Sequence, residues 1–133
     1  MASIHRELLL DAEMETVWRA VQDVGAVHLR LARGFVVDTV LEGDERVVTF
    51  VNGFQVRERI VTIDAERRRL VYAAVGGRTT HHSASFEVLD AGDGRVRLTW
   101  TTDLLPESAA AAVAGMVDHG LVAIRATLEA AES

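Results

Sequence analysis

Between Phe35 and Leu104 the chain is a succession of strand-length runs joined by connections too short to hold a helix. The runs are Phe35–Glu42, Arg46–Asn52, Phe54–Asp64, Leu70–Val75, Thr80–Asp90 and Arg95–Leu104. Turn chemistry marks their boundaries: Gly43-Asp44, Asn52-Gly53, Asp64-Ala65-Glu66, Gly76-Gly77 and Gly92-Asp93-Gly94. Parallel neighbours need a crossover of about a dozen residues or more, so these runs predict an antiparallel meander. Asn52-Gly53 is the sharpest hairpin signal among them.

The flanks are helical. Ile4–Leu10 reads as a further strand. Asp11 is placed to cap the helix that follows, with Glu13 and Glu15 in its first turn and Met14, Val17, Trp18 and Val21 as its buried stripe up to Asp23. Gly25 breaks this helix, a second short one is expected over Ala26–Ala32, and Gly34 ends that. The only proline, Pro106, suits the first turn of a long helix. Val113, Val117, Gly120, Leu121, Ile124 and Leu128 form its apolar stripe, with Met116 at the margin. The expectation is one α+β domain over residues 1–133: a strongly curved seven-stranded antiparallel sheet around a long C-terminal helix, with two short helices after the first strand. Such a sheet closing on one helix leaves a hollow, where a small molecule binds.

Composition removes several chemistries. Without cysteine there is no disulfide, thiolate nucleophile or cysteine-ligated metal. Without lysine (all 14 basic residues are arginine) no side chain forms a Schiff base. A net charge of −6 opposes non-specific nucleic-acid binding, and Arg67-Arg68-Arg69 falls in a turn and reads as solvated. No apolar run is read as long enough to span a bilayer. The start, Met-Ala-Ser-Ile-His-Arg-Glu, carries no signal-peptide hydrophobic region, so a soluble cytoplasmic protein without membrane insertion is expected. There is no Gly-x-Ser-x-Gly elbow, phosphate loop or Gly-x-Gly-x-x-Gly turn, and no cofactor is expected.

Alternation along the strands assigns an inward face. Its members are Phe35, Val37, Thr39 and Leu41; Phe54, Val56, Glu58 and Ile60; Leu70 and Tyr72; His82, Ala84, Phe86 and Val88; and Val96, Leu98, Trp100 and Thr102. Glu58 and His82 are the polar anomalies, and a carboxylate among apolar neighbours is a site candidate. Two structural alternatives stand beside that reading for Glu58: a bulge turns it outward, or an arginine of a neighbouring strand pairs with it. His82 is alternatively a satisfied core or edge histidine. His81 and His82 point to opposite faces and cannot share a metal ion, so no metal site is expected. Tyr72 and Trp100 either orient a ligand or serve as core. Asp103 either caps the long helix, the preferred reading, or rims the hollow. His119 falls on the solvated side of the long helix. His28 lies where a cavity mouth would be. The expected ligand-binding set is Phe54, Val56, Tyr72, Phe86, Leu98, Trp100, Val117, Leu121 and His28, with Glu58 and His82 as catalytic candidates.

Certain stretches carry a family resemblance: Asp11-Ala12-x-x-Glu15-x-Val17-Trp18 with Asp23; Gly53-Phe-Gln-Val-Arg-Glu-Arg-Ile60 followed by Asp64; Leu70-Val-Tyr72; and Trp100-x-x-Asp103-Leu-Leu-Pro106. With the element order, they make the chain resemble the START-like helix-grip (SRPBCC) superfamily, and within it the bacterial polyketide cyclase/dehydrase-like branch. It departs from that pattern at Glu13, where the family usually has proline, and near His28, where it often has tryptophan. The resemblance implies a hydrophobic ligand between sheet and long helix. It leaves open a cyclase- or dehydratase-like enzyme, with Glu58 and His82 moving protons α to a carbonyl and Tyr72 or Trp100 orienting an oxygen, and a non-catalytic carrier or sensor of a lipid or hydrophobic metabolite. Exposed sheet edges add a homodimeric interaction module as a third reading.

Overall fold

In the computed structural model, which describes residues 1–131, the elements are β1 (Ala2–Leu10), α1 (Met14–Gln22), a π-helix (Val27–Leu31), β2 (Val36–Glu42), β3 (Glu45–Phe50), β4 (Gln55–Asp64), β5 (Arg69–Val75), β6 (His81–Gly92), β7 (Arg95–Leu105), a 3-10 turn (Glu107–Ala109) and α2 (Ala110–Ala130). The strands form one seven-stranded sheet ordered β1-β7-β6-β5-β4-β3-β2 with antiparallel neighbours throughout. The meander accounts for β2 to β7, and β1 returns to the free side of β7. This is the helix-grip architecture.

Local chemistry explains most boundaries. Gly53 takes the left-handed conformation (φ 90°) that a side chain resists, and the Asn52 side chain accepts the Phe54 N–H at 3.0 Å, which closes the β3–β4 turn. Asp11 does not cap α1; Glu13 occupies that position. Ala12 is buried between β1 and α1, so the chain is not yet helical at Asp11, whose carboxylate instead lies 3.0 Å from Arg95. The second short helix is a π-helix: the Ala32 N–H reaches back five residues to the Val27 carbonyl at 2.9 Å. Pro106 precedes the 3-10 turn, and α2 starts only at Ala110. Asp103 therefore lies too far back in β7 to cap α2; it accepts a hydrogen bond from the Ser3 hydroxyl on the outer face of the sheet.

Val117, Gly120, Ile124 and Leu128 of α2 are buried, with Val113 and Leu121 half-buried beside them. The helix is held along β1 by Arg6, whose Nε donates to Asp118 at 2.8 Å, and by Arg125, which donates to the Leu9 carbonyl at 2.8 Å. The reading that no run could span a bilayer needs correcting, because Glu107–Ala130 has 24 residues and a mean hydropathy of 1.3 over its most apolar stretch. In this fold its stripe packs on the core.

Gly120 is required for close approach. A Cβ there would stand 2.9 Å from Trp100 Cζ3 and 3.3 Å from Phe35 Cε2. Gly120→Val is therefore expected to cost about 1–3 kcal/mol through overpacking, despite glycine's poor helix propensity. Thermal unfolding checks this, and an unchanged or raised midpoint would contradict it.

A bulge between Val36 and Asp38 corrects the face assigned to β2. Val36 and Thr39 are buried, whereas Val37 is the extra residue and is exposed. Leu41 stays on the concave side but lies at the rim over Gly25, largely exposed.

Candidate functional site

The concave face is built from cross-strand rows. Arg46 stands opposite Glu58, Glu58 opposite Ala74, and Leu104 opposite His82. Ser83 pairs with Ala73, which brings His82 into the row of Ala74. Glu58 and His82 thus share one row two strands apart, about 10 Å at normal strand spacing, so they face a common space without touching. One row deeper, Tyr72 lies beside Ile60 and Ala84.

Arg46 decides the fate of Glu58. It shares the inward side of β3 with Val48 and Phe50, and only 4% of it is exposed. Its Nε donates to Glu58 Oε1 at 2.8 Å and its Nη1 to the Val24 carbonyl at 3.2 Å. Its Cζ sits 4.9 Å from the centre of the Tyr72 ring. The Glu58 side chain is 12% exposed, so this is a nearly buried ion pair. Of the two structural alternatives for Glu58, pairing with a neighbouring-strand arginine is the one realised; it is not turned outward. Burial pushes the Glu58 carboxyl up against the opposing pull of Arg46.

Behind the pair lies an aromatic stack. Phe86 is centred 6.2 Å from Tyr72 and 4.7 Å from Trp100, and Trp100 Nε1 donates to Tyr72 Oη at 3.1 Å. The Tyr72 phenol is pushed up, first by burial and then by the Glu58 charge, so it remains a neutral hydroxyl.

These rings fill the middle of the expected hollow. Two hollows among the described residues lie elsewhere: a cleft of about 220 Å³ between α1, the π-helix and the end of α2, and a dimple of about 80 Å³ on the outer face near Ser83, Ser85 and Thr101. Leu98 is fully buried and Phe86 nearly so, and both act as packing. Phe54 belongs to the β3–β4 turn and is 58% exposed, so its expected inward position is not realised. The concave face is instead incompletely covered at one end. There Val56, His82, Trp100, Val113 and Leu121 are only half-buried, because α2 packs along β1 and against the π-helix. Val117 lies deeper, beside Ile4 and Leu104. His28, in the π-helix, places Nδ1 3.1 Å from Thr39 Oγ1 and ties that helix to β2. His119 is exposed, as its place on α2 predicts. Among the described residues no cluster of three or more His, Asp or Glu side chains is set to hold a metal ion.

Burial, and after it the neighbouring His81, hold the His82 imidazole below its ordinary value of 6.5. The folded protein then resists a proton that the unfolded chain accepts, so the stability linked to His82 is lost as pH falls from about 6.5 towards the folded value. Urea unfolding at pH 7.5 and 5.5 should show a smaller acid loss in His82→Gln than in the wild type; equal losses would contradict this.

A family model described as polyketide cyclase / dehydrase and lipid transport matches residues 1–129. The chain belongs to this family. Solved structures carry the same fold. The protein XoxI from Bacillus cereus superposes with a TM-score of 0.87 at 17% identity, covering 100% of this chain and 99% of that one. A START superfamily protein from Mycobacterium smegmatis gives 0.76 at 14% identity, covering 97% and 98%. A norcoclaurine synthase point mutant from Thalictrum flavum, in complex with a transition-state analogue, gives 0.71 at 22% identity, covering 99% and 96%. At these identities the likeness concerns the fold alone. No curated protein sequence matches the chain.

An arginine partner was one of the two structural alternatives the sequence left open for Glu58, without Arg46 being identified as that partner. The signal was present: Arg46 alternates in phase with Val48 and Phe50, which makes it a charge on an apolar face.

Proposed function

We propose that this protein binds a small hydrophobic molecule at the half-covered end of the concave face, with the Arg46–Glu58 pair and Tyr72 meeting its polar group. The observation that carries this reading is a nearly buried ion pair standing among apolar side chains beside half-exposed Val56, Trp100, Val113 and Leu121. A hydrophobic replacement for such a pair is often as stable or more so, so folding alone gives little reason for it. The family's description, which joins cyclases and dehydrases with lipid transport, supports the same reading.

The uncharged dye N-phenyl-1-naphthylamine tests it. The wild type should bind it saturably, Val56→Arg should lose binding, and Val37→Arg, on the exposed bulge, should keep it. Absence of saturable binding in the wild type, or equal loss in both variants, would refute the proposal.

A catalytic reading is favoured by the Glu58 carboxyl, raised by burial, standing across the same space from His82, whose imidazole burial holds neutral. In that reading Glu58 removes a proton α to a carbonyl of the bound molecule and returns it. Deuterium incorporation at that carbon in D₂O, lost in Glu58→Gln while dye binding survives, is the expected result. Incorporation that persists in Glu58→Gln would remove Glu58 from the chemistry.

A further inference from the structure

Resting on the proposed binding site, we infer that it selects uncharged ligands carrying an oxygen acceptor, such as a ketone or ester, over carboxylates of the same length. Two observations carry this, one about charge and one about an unused donor.

The first is that the site's charges are spent on each other. Arg46 is engaged by Glu58 at 2.8 Å and by the Val24 carbonyl, and the next cation on the concave side, Arg6, is held by Asp118 at 2.8 Å. His82 is kept neutral by burial. A carboxylate entering here gains no unpaired cation. It gives up its hydration and meets the Glu58 charge, which costs several kcal/mol in an apolar site. Displacing Glu58 from Arg46 offers no escape, because it strands another buried carboxylate.

The second observation is the Tyr72 hydroxyl. Tyr72 is 6% exposed, and its oxygen accepts the Trp100 N–H at 3.1 Å. Among the described residues no acceptor stands within reach of its own hydrogen. A buried donor left unmatched costs on the order of 1–3 kcal/mol, and a ligand oxygen recovers that. Burial, and after it the Glu58 charge, keep the phenol protonated, so its hydrogen stays available for donation. A neutral oxygen at the end of an apolar body satisfies Tyr72 without adding charge.

The test uses 2-undecanone and undecanoate, which have the same carbon count, in titrations followed by tryptophan fluorescence at pH 7.5. The ketone should bind at least about tenfold more tightly than the carboxylate, the size of one hydrogen bond plus part of a charge-burial cost. Tyr72→Phe, with folding checked by circular dichroism, should weaken the ketone about tenfold; an unchanged ketone affinity would remove the tyrosine donor from the inference. Undecanoate binding as tightly as the ketone overturns the inference while leaving the binding site intact. Failure of both probes, with the dye also unbound, overturns the site itself. The wild-type ratio decides the charge argument even if the tyrosine variant misfolds.

Discussion

Glu58→Leu should lower the unfolding free energy by about 3–5 kcal/mol, because it leaves the Arg46 charge nearly buried without its counter-ion. Arg46 cannot reach water by a rotamer change alone: only 4% of it is exposed, and the Val24 carbonyl and the Tyr72 face hold it from two other sides. Those two contacts recover part of the loss without neutralising the charge. The double variant Glu58→Leu with Arg46→Met should recover most of it, since both desolvation penalties then vanish together and the added volume is apolar. Urea denaturation of the wild type, both single variants and the double variant gives the coupling. A single-variant loss below about 1 kcal/mol would mean that the pair behaves as a surface contact and is not desolvated.

Phe86→Ala should be of similar size, about 3–5 kcal/mol, with a different signature. Phe86 is the middle ring of the stack, with Tyr72 on one side and Trp100 on the other. Its removal takes away both ring contacts and leaves a void where the backbone of β6 is pinned between β5 and β7. Because the sheet cannot collapse into that void, the variant should enlarge the space on the concave face, taking up more N-phenyl-1-naphthylamine than the wild type even as it loses stability. Phe54→Ala, in the exposed β3–β4 turn, should change stability by no more than about 0.5 kcal/mol and serves as the control. Similar losses at both positions, or no gain in dye uptake by Phe86→Ala, would show that the stack does not fill the middle of the concave face.

The turns explain why the topology was legible. Gly43-Asp44, Asn52-Gly53 and Gly92-Asp93-Gly94 are too short for anything but antiparallel returns, and the strands they join pair in sequence order. Val117, Gly120, Ile124 and Leu128 repeat at helical spacing and are buried. Departures occur where a contact distant in sequence overrides a local signal. Asp11 has the chemistry of a cap, yet Arg95 claims its carboxylate and Glu129 accepts its N–H at 2.9 Å. Asp103 is drawn to Ser3 across the β1–β7 ladder. Val37 loses its place on the inward face to a bulge that strict alternation cannot anticipate.

The candidate site divides in the same way. Glu58 and His82 were identified from alternation, because a polar residue in an apolar phase is a property of one strand. Their separation, the closing of Arg46 onto Glu58 and the seating of Trp100 against Gly120 depend on which strands become neighbours and where α2 is clamped.

Local sequence therefore determined the strand count, the sheet order within the meander, the long helix and the polar residues of the inward face, since periodicity and turn geometry act over a few residues. Tertiary structure alone decided that an ion pair and an aromatic stack occupy the concave face. Desolvation, close packing and the pairing of buried charges are set by neighbours that only the folded chain brings together.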